Sequence, residues 1–537
     1  MTRTFEEIAA GLEPVRDSRP IAAGERIHVV GIGGSASAGA ALSAAAAGAI
    51  VTGCDTGGPS QYTQPATAAG IAIDWQHDAA HVVGSNGRPL VDRVAVTKAL
   101  TSVRPDHPEL TAARDAGIVA ESVQQVIADA AATNGQRLVG ITGTHGKSTT
   151  TGWLVHLLAA AGRDPSAFVG ALLPMSLAGG LLSSTTRIGE GPEFVVEADE
   201  YAGNFDPYRA WLGVVVSAEW DHPDVFADRS DVVATLAGWV RRFIASGGVA
   251  PASAERPVLV ANVGDEGVVE LLETLEDWAG RRVLVDLLDD SSADLTAHRR
   301  RLVERFGRVP GSTALVGRVV SLDAAGAAAE ILGPGIGGSP APALVATPLA
   351  GRHMLLDGLL ALAAALACGA DPAALLPAFG AFGGVGRRLE LKGDVGGVVV
   401  LDDYGHHPTA IRATFEAVRQ RYPGRRLWAV YEPLTFHRTA AMLDAFADVL
   451  ATAERAAIVD IWAVRDPDTT IVSAADLARA VDARGTPALA TGSAEASAAT
   501  LATLVEPGDV VLVMGGGRSY VTAEQLVERL RGEIPTA

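Results

Sequence analysis

Short β-branched runs alternate with longer Ala-, Leu-, Arg- and Glu-rich stretches through most of this 537-residue chain. Residues 26–31, 49–52, 137–142, 194–197, 212–217, 397–401, 427–431 and 510–514 read as strands. Residues 149–161, 408–421, 438–453 and 523–531 read as helices. Apolar strands that each lead through a loop into a helix predict parallel sheets covered by helices, an α/β architecture. The Gly/Pro/Ala-rich stretch 333–342 reads as a turn-rich excursion, 380–386 as a hinge, and the charged run 289–305 as a solvated helix or insertion. The chain is too long for one ordinary core. Boundaries near residues 136 and 385 predict three units, 1–136, 137–385 and 386–537.

Composition then narrows the class. The 62 acidic residues outnumber 43 basic ones, a formal net charge of −19, which argues against a nucleic-acid partner or a membrane-surface role. Two cysteines, Cys54 and Cys368, exclude a disulfide scaffold and a cysteine-rich metal site. The first residues are acidic where a secretory signal needs a basic start and an apolar run. The longest apolar stretches fall short of the roughly 20 residues that cross a bilayer. A soluble, cytoplasmic protein is expected. Only Lys98, Lys147 and Lys392 among the basic residues are lysine, so each invites a specific explanation.

Three strand ends carry the candidate chemistry. After residues 26–31 the sequence GIGGSA, with Gly31, Gly33, Gly34 and Ala36, fits the turn G-x-G-x-x-A that brings phosphate to a helix N-terminus. Asp55 follows the next strand at the separation where such folds place a ribose-binding carboxylate. This predicts a Rossmann-like unit that could serve NAD, FAD or a UDP-sugar. The second strand end is GTHGKST: Gly143, Thr144, Gly146, Lys147, Ser148 and Thr149. Such a loop cradles ATP phosphates, its lysine neutralises the β/γ charge, and the following hydroxyl binds Mg²⁺. The general pattern has a glycine where Ile141 stands, so the glycine frame here is shorter. Downstream, Glu197, Asp199 and Glu200, then Glu219, Asp221 and His222, offer hard oxygen ligands and an imidazole for a second divalent ion. At the third strand end, Asp402, Asp403, His406 and His407 could bind a metal or orient nucleotide phosphates. Arg438 follows the next strand and could hold a substrate carboxylate with its planar fork. Arg387 and Arg388 stand just past the hinge.

Together the segments HVVGIGGSASAG, GITGTHGKSTTT, VVEADE, EWDHPD, GVGRRLE, LDDYGHHPTAIRATF and DIWAVR resemble the Mur ligase family, in family order and over nearly the whole chain. The resemblance implies an N-terminal Rossmann-like domain for the UDP moiety, a central P-loop ATPase domain and a C-terminal Rossmann-like domain that closes on them. It implies an ATP-dependent ligase of peptidoglycan precursor synthesis, joining an amino acid, L-alanine first, to the carboxylate of UDP-N-acetylmuramate through an acyl phosphate. Lys147, His222 and Asp403 would then be catalytic. The loop residues would hold ATP together with Arg388, Asp403 and His406. Ser148, Glu197 and His222 would hold the metal. Gly33, Gly34, Asp55 and His77 would meet the UDP-sugar, and Arg438 the amino acid. Departures from the family pattern fall at Met354 and Asp357, where asparagines are expected, and at Leu434, where a histidine is. A carbamylated lysine found in some relatives has no counterpart, since 223–248 contains no lysine. Competing expectations are a sister ligase attaching a recycled peptide or another amino acid, a catalytically silent binding paralogue, and a dinucleotide-dependent oxidoreductase, which would leave GTHGKS without a task.

Overall fold

The computed structural model describes residues 3–244, 256–336, 341–463, 466 and 468–534. Residues 337–340 of the turn-rich stretch, and Val464 and Arg465 of DIWAVR, lie outside the described residues. The first sheet contains β1 (Arg26–Val30), β2 (Ile50–Cys54), β3 (Ala72–Asp74), β4 (Arg93–Val96) and β5 (Val119–Ser122), all parallel, in the order β3-β2-β1-β4-β5. The order reverses between β1 and β4, which opens a crevice outside their carboxyl ends. β2 runs beyond the expected 49–52 because its register with β1 pairs Val29 with Gly53 and Val30 with Cys54. Only glycine fits at 53, since Ile32 Cδ1 lies 2.6 Å from where a Cβ would stand. The extension delivers Asp55 directly to the strand end.

The central sheet has ten strands: β6 (Arg137–Thr142), β7 (Ser166–Leu173), β8 (Ser184–Arg187), β9 (Glu193–Glu197), β10 (Leu212–Val215), β11 (Val258–Asn262), β12 (Arg281–Leu288), β13 (Thr313–Asp323), β14 (Gly326–Leu332) and β15 (Ala343–Thr347). Their order is β15-β14-β13-β12-β11-β10-β6-β9-β7-β8, with antiparallel pairs at β7–β8 and at β13–β14–β15. β6 therefore lies between β9 and β10, so the loop after it is flanked by the carboxyl ends of both. Helices Lys147–Ala160 and Arg352–Ala367 pack side by side on this sheet. Leu154, Leu157, Leu355, Leu359 and Leu362 are fully buried there, and each contributes about 1.5–3 kcal/mol.

The third sheet contains β16 (Glu390–Val395), β17 (Val398–Asp403), β18 (Arg426–Glu432), β19 (Arg455–Val459), β20 (Ala488–Gly492) and β21 (Asp509–Gly515), in the order β16-β17-β21-β18-β19-β20. Only β16 runs antiparallel. Helix Pro408–Arg421 starts where expected: the His407 side chain accepts the Thr409 N–H, and Pro408 needs no partner in the first turn. The expected helix 438–453 is instead two, Phe436–Ala441 and Leu443–Leu450, broken where Met442 leaves helical geometry (φ −117°, ψ 20°). The charged run contains a helix, Leu295–Phe306. No helix among the described residues is long and apolar enough to cross a membrane.

Candidate active site

Strand β6 ends at Thr142, and Gly143 (φ 137°) and Gly146 (φ 76°) turn the chain so that helix Lys147–Ala160 starts immediately. A side chain at 146 would collide with Asp357 Oδ1 and Val216 Cγ1, 2.6 and 2.7 Å from a Cβ there. Unpaired N–H groups of the first helical turn make this loop an anion cradle. Lys147 Nζ donates to the Gly143 carbonyl at 2.6 Å and to Glu200 Oε2 at 3.0 Å. Burial disfavours the ammonium, but Glu200, Asp199 and Glu197 outweigh it and hold its pKa above the ordinary value. Burial pushes the Glu200 carboxyl up to about 7, against the pull of Lys147.

Carboxylates gather around this lysine from the end of β9, and an imidazole joins them from beyond β10. Ligating atoms of Asp199, Glu200 and His222 lie within 4.8 Å of one another. His222 sits in the left-handed region (φ 56°), just beyond β10. Glu197 stands apart from that group: its Oε2 accepts the Gly170 N–H at 2.7 Å. Opposite, Glu219 accepts from Thr409 Oγ1 at 2.6 Å and lies 3.6 Å from His145 Nε2. Burial opposes its charge, yet His145, Thr409 and His407 hold the Glu219 carboxyl down at about 2.

The third unit closes onto these loops. Arg388 Nη2 donates to Ser148 Oγ at 3.1 Å, and His407 Nε2 approaches the Trp220 carbonyl at 3.2 Å. Arg438 and Asp221 form a buried ion pair at 2.8 Å, which leaves Arg438 Nε and Nη1 buried without hydrogen-bond partners. Asp403 turns inward: its two oxygens accept the Gly405 N–H at 2.7 Å and the Leu389 N–H at 2.9 Å, so it shapes the turns that carry Arg388 and His406. His406 Nδ1 meets the Tyr404 carbonyl at 2.9 Å, and burial keeps its ring neutral. Arg387 staples Asp402, Gly515 and Ser519 within its own unit. A cleft of about 680 Å³ opens at the hinge glycines, walled by Met354, Phe382, Arg388, Leu389, Val418 and Tyr422.

At the first crevice the Gly33 and Gly57 N–H groups donate to Asp55 at 2.8 and 2.7 Å, so the carboxylate is drawn over the glycine turn. Gly34 caps helix Ser35–Ala46. His77 faces a different set of partners: its Nδ1 lies 3.2 Å from Cys54 Sγ and 3.5 Å from Glu109 Oε1. Sequence reasoning had no contact to offer for Asp357, whose carboxyl touches Gly146 from helix Arg352–Ala367. Its only signal was a departure from the family pattern. Lys98 and Thr409 were also missed, and nothing local to either residue marks its contact.

A phosphate-loop-like turn on the parallel core of the central sheet, clamped by one Rossmann-like unit and preceded by another, is an arrangement suited to an ATP-dependent ligase. The chain matches the description "Mur ligase family, catalytic domain" over residues 26–134 and "Mur ligase, glutamate ligase domain" over residues 387–517. It is 32% identical to a UDP-N-acetylmuramate–L-alanine ligase of Frankia casuarinae, over 94% of this chain and 98% of that protein. It is 34% identical to one of Kineococcus radiotolerans, over 92% and 93%. The crystal structure of the UDP-N-acetylmuramate–alanine ligase of Thermotoga maritima shares the fold, with TM-score 0.70 and 20% identity over 95% of this chain and 100% of that one. The chain belongs to the Mur ligase family.

Proposed function

We propose that the chain joins L-alanine to the carboxylate of UDP-N-acetylmuramate at the expense of ATP, in peptidoglycan precursor synthesis. The observation that carries the choice of substrates is the match, over nearly the full length, to relatives that bear that activity in their names. We assign residues 1–136 to the UDP-sugar, 137–385 to ATP and 386–537 to closure over both and over the amino acid. The UDP moiety would lie on Gly33, Gly34 and Asp55, with His77 beneath them. ATP phosphates would lie on Gly143, Thr144, Gly146, Lys147, Ser148 and Thr149, with Arg388 and His406 facing them and Asp403 fixing the turns that carry both.

The carboxylates of Asp199 and Glu200, grouped with His222, fit Mg²⁺, with Glu197 near enough to act on Lys147, and the Ser148 hydroxyl in the first turn of the helix would be a further oxygen donor. Bound there, the ion supplies positive charge to the phosphates. The protein's own part is positioning and charge. Lys147 is already fixed at the loop by Gly143 and Glu200, so it meets the γ-phosphate without a search. The sugar carboxylate attacks that phosphorus and ADP leaves. Lys147, Arg388 and the loop N–H groups offset the repulsion between the two anions. The amine then attacks the acyl phosphate, and phosphate departs from the tetrahedral intermediate to leave the amide. Docking of the third unit keeps water from the acyl phosphate. The unpartnered Nε and Nη1 of Arg438 are donors that an amino-acid carboxylate would satisfy.

The test is phosphate release with Mg·ATP, UDP-N-acetylmuramate and a panel of amino acids, with the recycled tripeptide as one further acceptor. L-alanine is expected to give the highest kcat/KM. Preference for the tripeptide would move the chain to the recycling class, and absence of any acceptor-dependent ADP would overturn ligation.

A further inference from the structure

A second concentration of ligating groups lies in the first unit, away from the ATP phosphates. Four of the chain's twelve histidines and one of its two cysteines converge on a single carboxylate, Glu109. The fold dictates this meeting. β1 and β2 run in parallel register with His28 opposite Thr52, so His28, Thr52 and Cys54 share one face of the sheet. The short turn Ala79–His81 and the start of helix Pro108–Asp115 cover that face, bringing His81, His107 and Glu109 down onto it. Cys54 Sγ lies 3.3 Å from His28 Nε2, 3.2 Å from His77 Nδ1 and 3.0 Å from Glu109 Oε1. His81 Nδ1 lies 3.1 Å from the same Glu109 oxygen.

Hydrogen bonding alone does not satisfy this group. Three polar atoms crowd the Cys54 sulfur, which donates its one proton to Glu109 and can accept from the imidazole nitrogens. His107 Nδ1 lies 2.7 Å from Glu109 Oε2, so the shared carboxylate is held from its far side, and His107 Nε2 is buried with no hydrogen-bond partner. A buried polar atom in that state is costly.

We propose that His28, Cys54, His81 and Glu109 bind a zinc ion. One sulfur, two imidazole nitrogens and one carboxylate oxygen make a closed tetrahedral set, and their ligating atoms already lie within 4.8 Å of one another. Metal–ligand bonds of about 2.0–2.3 Å require neighbouring ligands roughly 3.3–3.8 Å apart, a small adjustment from the distances above. The outer contacts suit the site too. His28 Nδ1 is bonded to Thr52 Oγ1 at 2.8 Å, which leaves Nε2 free to ligate, and the Asp78 N–H holds Glu109 at 3.1 Å. Zinc ligates cysteine as the thiolate, so the thiol proton passes to solvent as the sulfur–zinc bond forms. The ion ties the turn Ala79–His81 and helix Pro108–Asp115 to β1 and β2, one residue before Asp55. Its role is to hold the crevice in shape, and no bond of a substrate changes there.

The full-length chain, purified without chelator, is expected to carry stoichiometric zinc by mass spectrometry. After chelation and reloading with Co²⁺ it is expected to show a thiolate-to-cobalt charge-transfer band with tetrahedral d–d absorption. Cys54→Ser should abolish the band, and His81→Asn should weaken zinc binding about 10- to 100-fold, with circular dichroism reporting that each variant is folded. The cobalt spectrum of the unmodified chain decides alone if either variant fails to fold. A spectrum without thiolate charge transfer overturns the site, as does zinc retention unaffected by either folded variant. Both readouts are independent of ligase activity.

Discussion

Arg388 Nη2 and Ser148 Oγ, 3.1 Å apart, join the third unit directly to a hydroxyl in the first turn of helix Lys147–Ala160. Arg388 also keeps its Nε buried without a partner, so it has donor capacity left for a phosphate. Arg388→Ala is expected to lower kcat/KM for ATP about 10- to 100-fold, the loss of one charge-assisted contact of about 1.5–3 kcal/mol. Arg388→Lys should recover little, because an ammonium cannot reproduce the planar fork. Steady-state ADP formation measures both, and wild-type kinetics in the alanine variant would remove Arg388 from the site.

Lys147 and Glu200 form an ion pair at 3.0 Å beside the glycine loop. Lys147→Ala is expected to lower kcat about 10²- to 10³-fold, the usual cost of removing one preorganised electrostatic contact. It should also lower the melting temperature, because Glu200 loses its cation in a buried setting. Adding Glu200→Gln should restore the melting temperature and leave activity low. Recovery of activity in the double variant would contradict the role given to the lysine.

Asp221 and Arg438 are buried together, at 5% and 3% side-chain exposure. Asp221→Ala strands the guanidinium and is expected to cost about 3–5 kcal/mol, read by denaturant unfolding. Arg438→Met combined with Asp221→Leu should recover most of that stability. In the same double variant KM for the amino acid should rise while KM for ATP changes little. A rise in both alike would mean that the pair only holds the units together.

Asp357 gives a pH-dependent test. Burial raises its carboxyl well above the ordinary value, with the charge of Arg388 pulling the other way. The folded protein thus holds the proton while the unfolded chain releases it near pH 4. The stability associated with the protonated carboxyl is fully present below the unfolded pKa and is lost as pH rises toward the folded pKa. Asp357→Asn removes this proton linkage, so its stability relative to the parent should climb by up to about 1.4 kcal/mol per pH unit from pH 4 upward. Parallel pH–stability curves for the two proteins would show that Asp357 is ionised in the fold.

The alternation of apolar strands and amphipathic helices made the α/β class legible, because buried parallel strands cannot hide their continuous apolar character. The turn at GTHGKST was legible too, since its glycines carry β6 straight into the helix that starts at Lys147. Strand ends were less so: β2 continues through Thr52, Gly53 and Cys54 because β1 supplies hydrogen bonds, which small polar residues do not advertise. The helix break at Met442 has no glycine or proline to announce it. Contacts between units were not legible at all. Asp221 with Arg438, and Arg388 with Ser148, lie 217 and 240 positions apart in sequence, and no local pattern encodes a meeting at that separation. The convergence on Glu109 was hidden for the same reason, with its members scattered from His28 to Glu109.

Lys98 shows what such a distant contact does for the molecule. Its ammonium, 5% exposed, donates to the Ala202 carbonyl at 2.7 Å and the Gly203 carbonyl at 3.0 Å. Those carbonyls begin two residues beyond Glu200, and Ala202 is held there in the left-handed region (φ 48°). The first unit therefore grips the segment that positions the partner of Lys147. This contact spans more than a hundred positions of sequence and ties the first unit to the EADE loop, whose Glu200 pairs with Lys147.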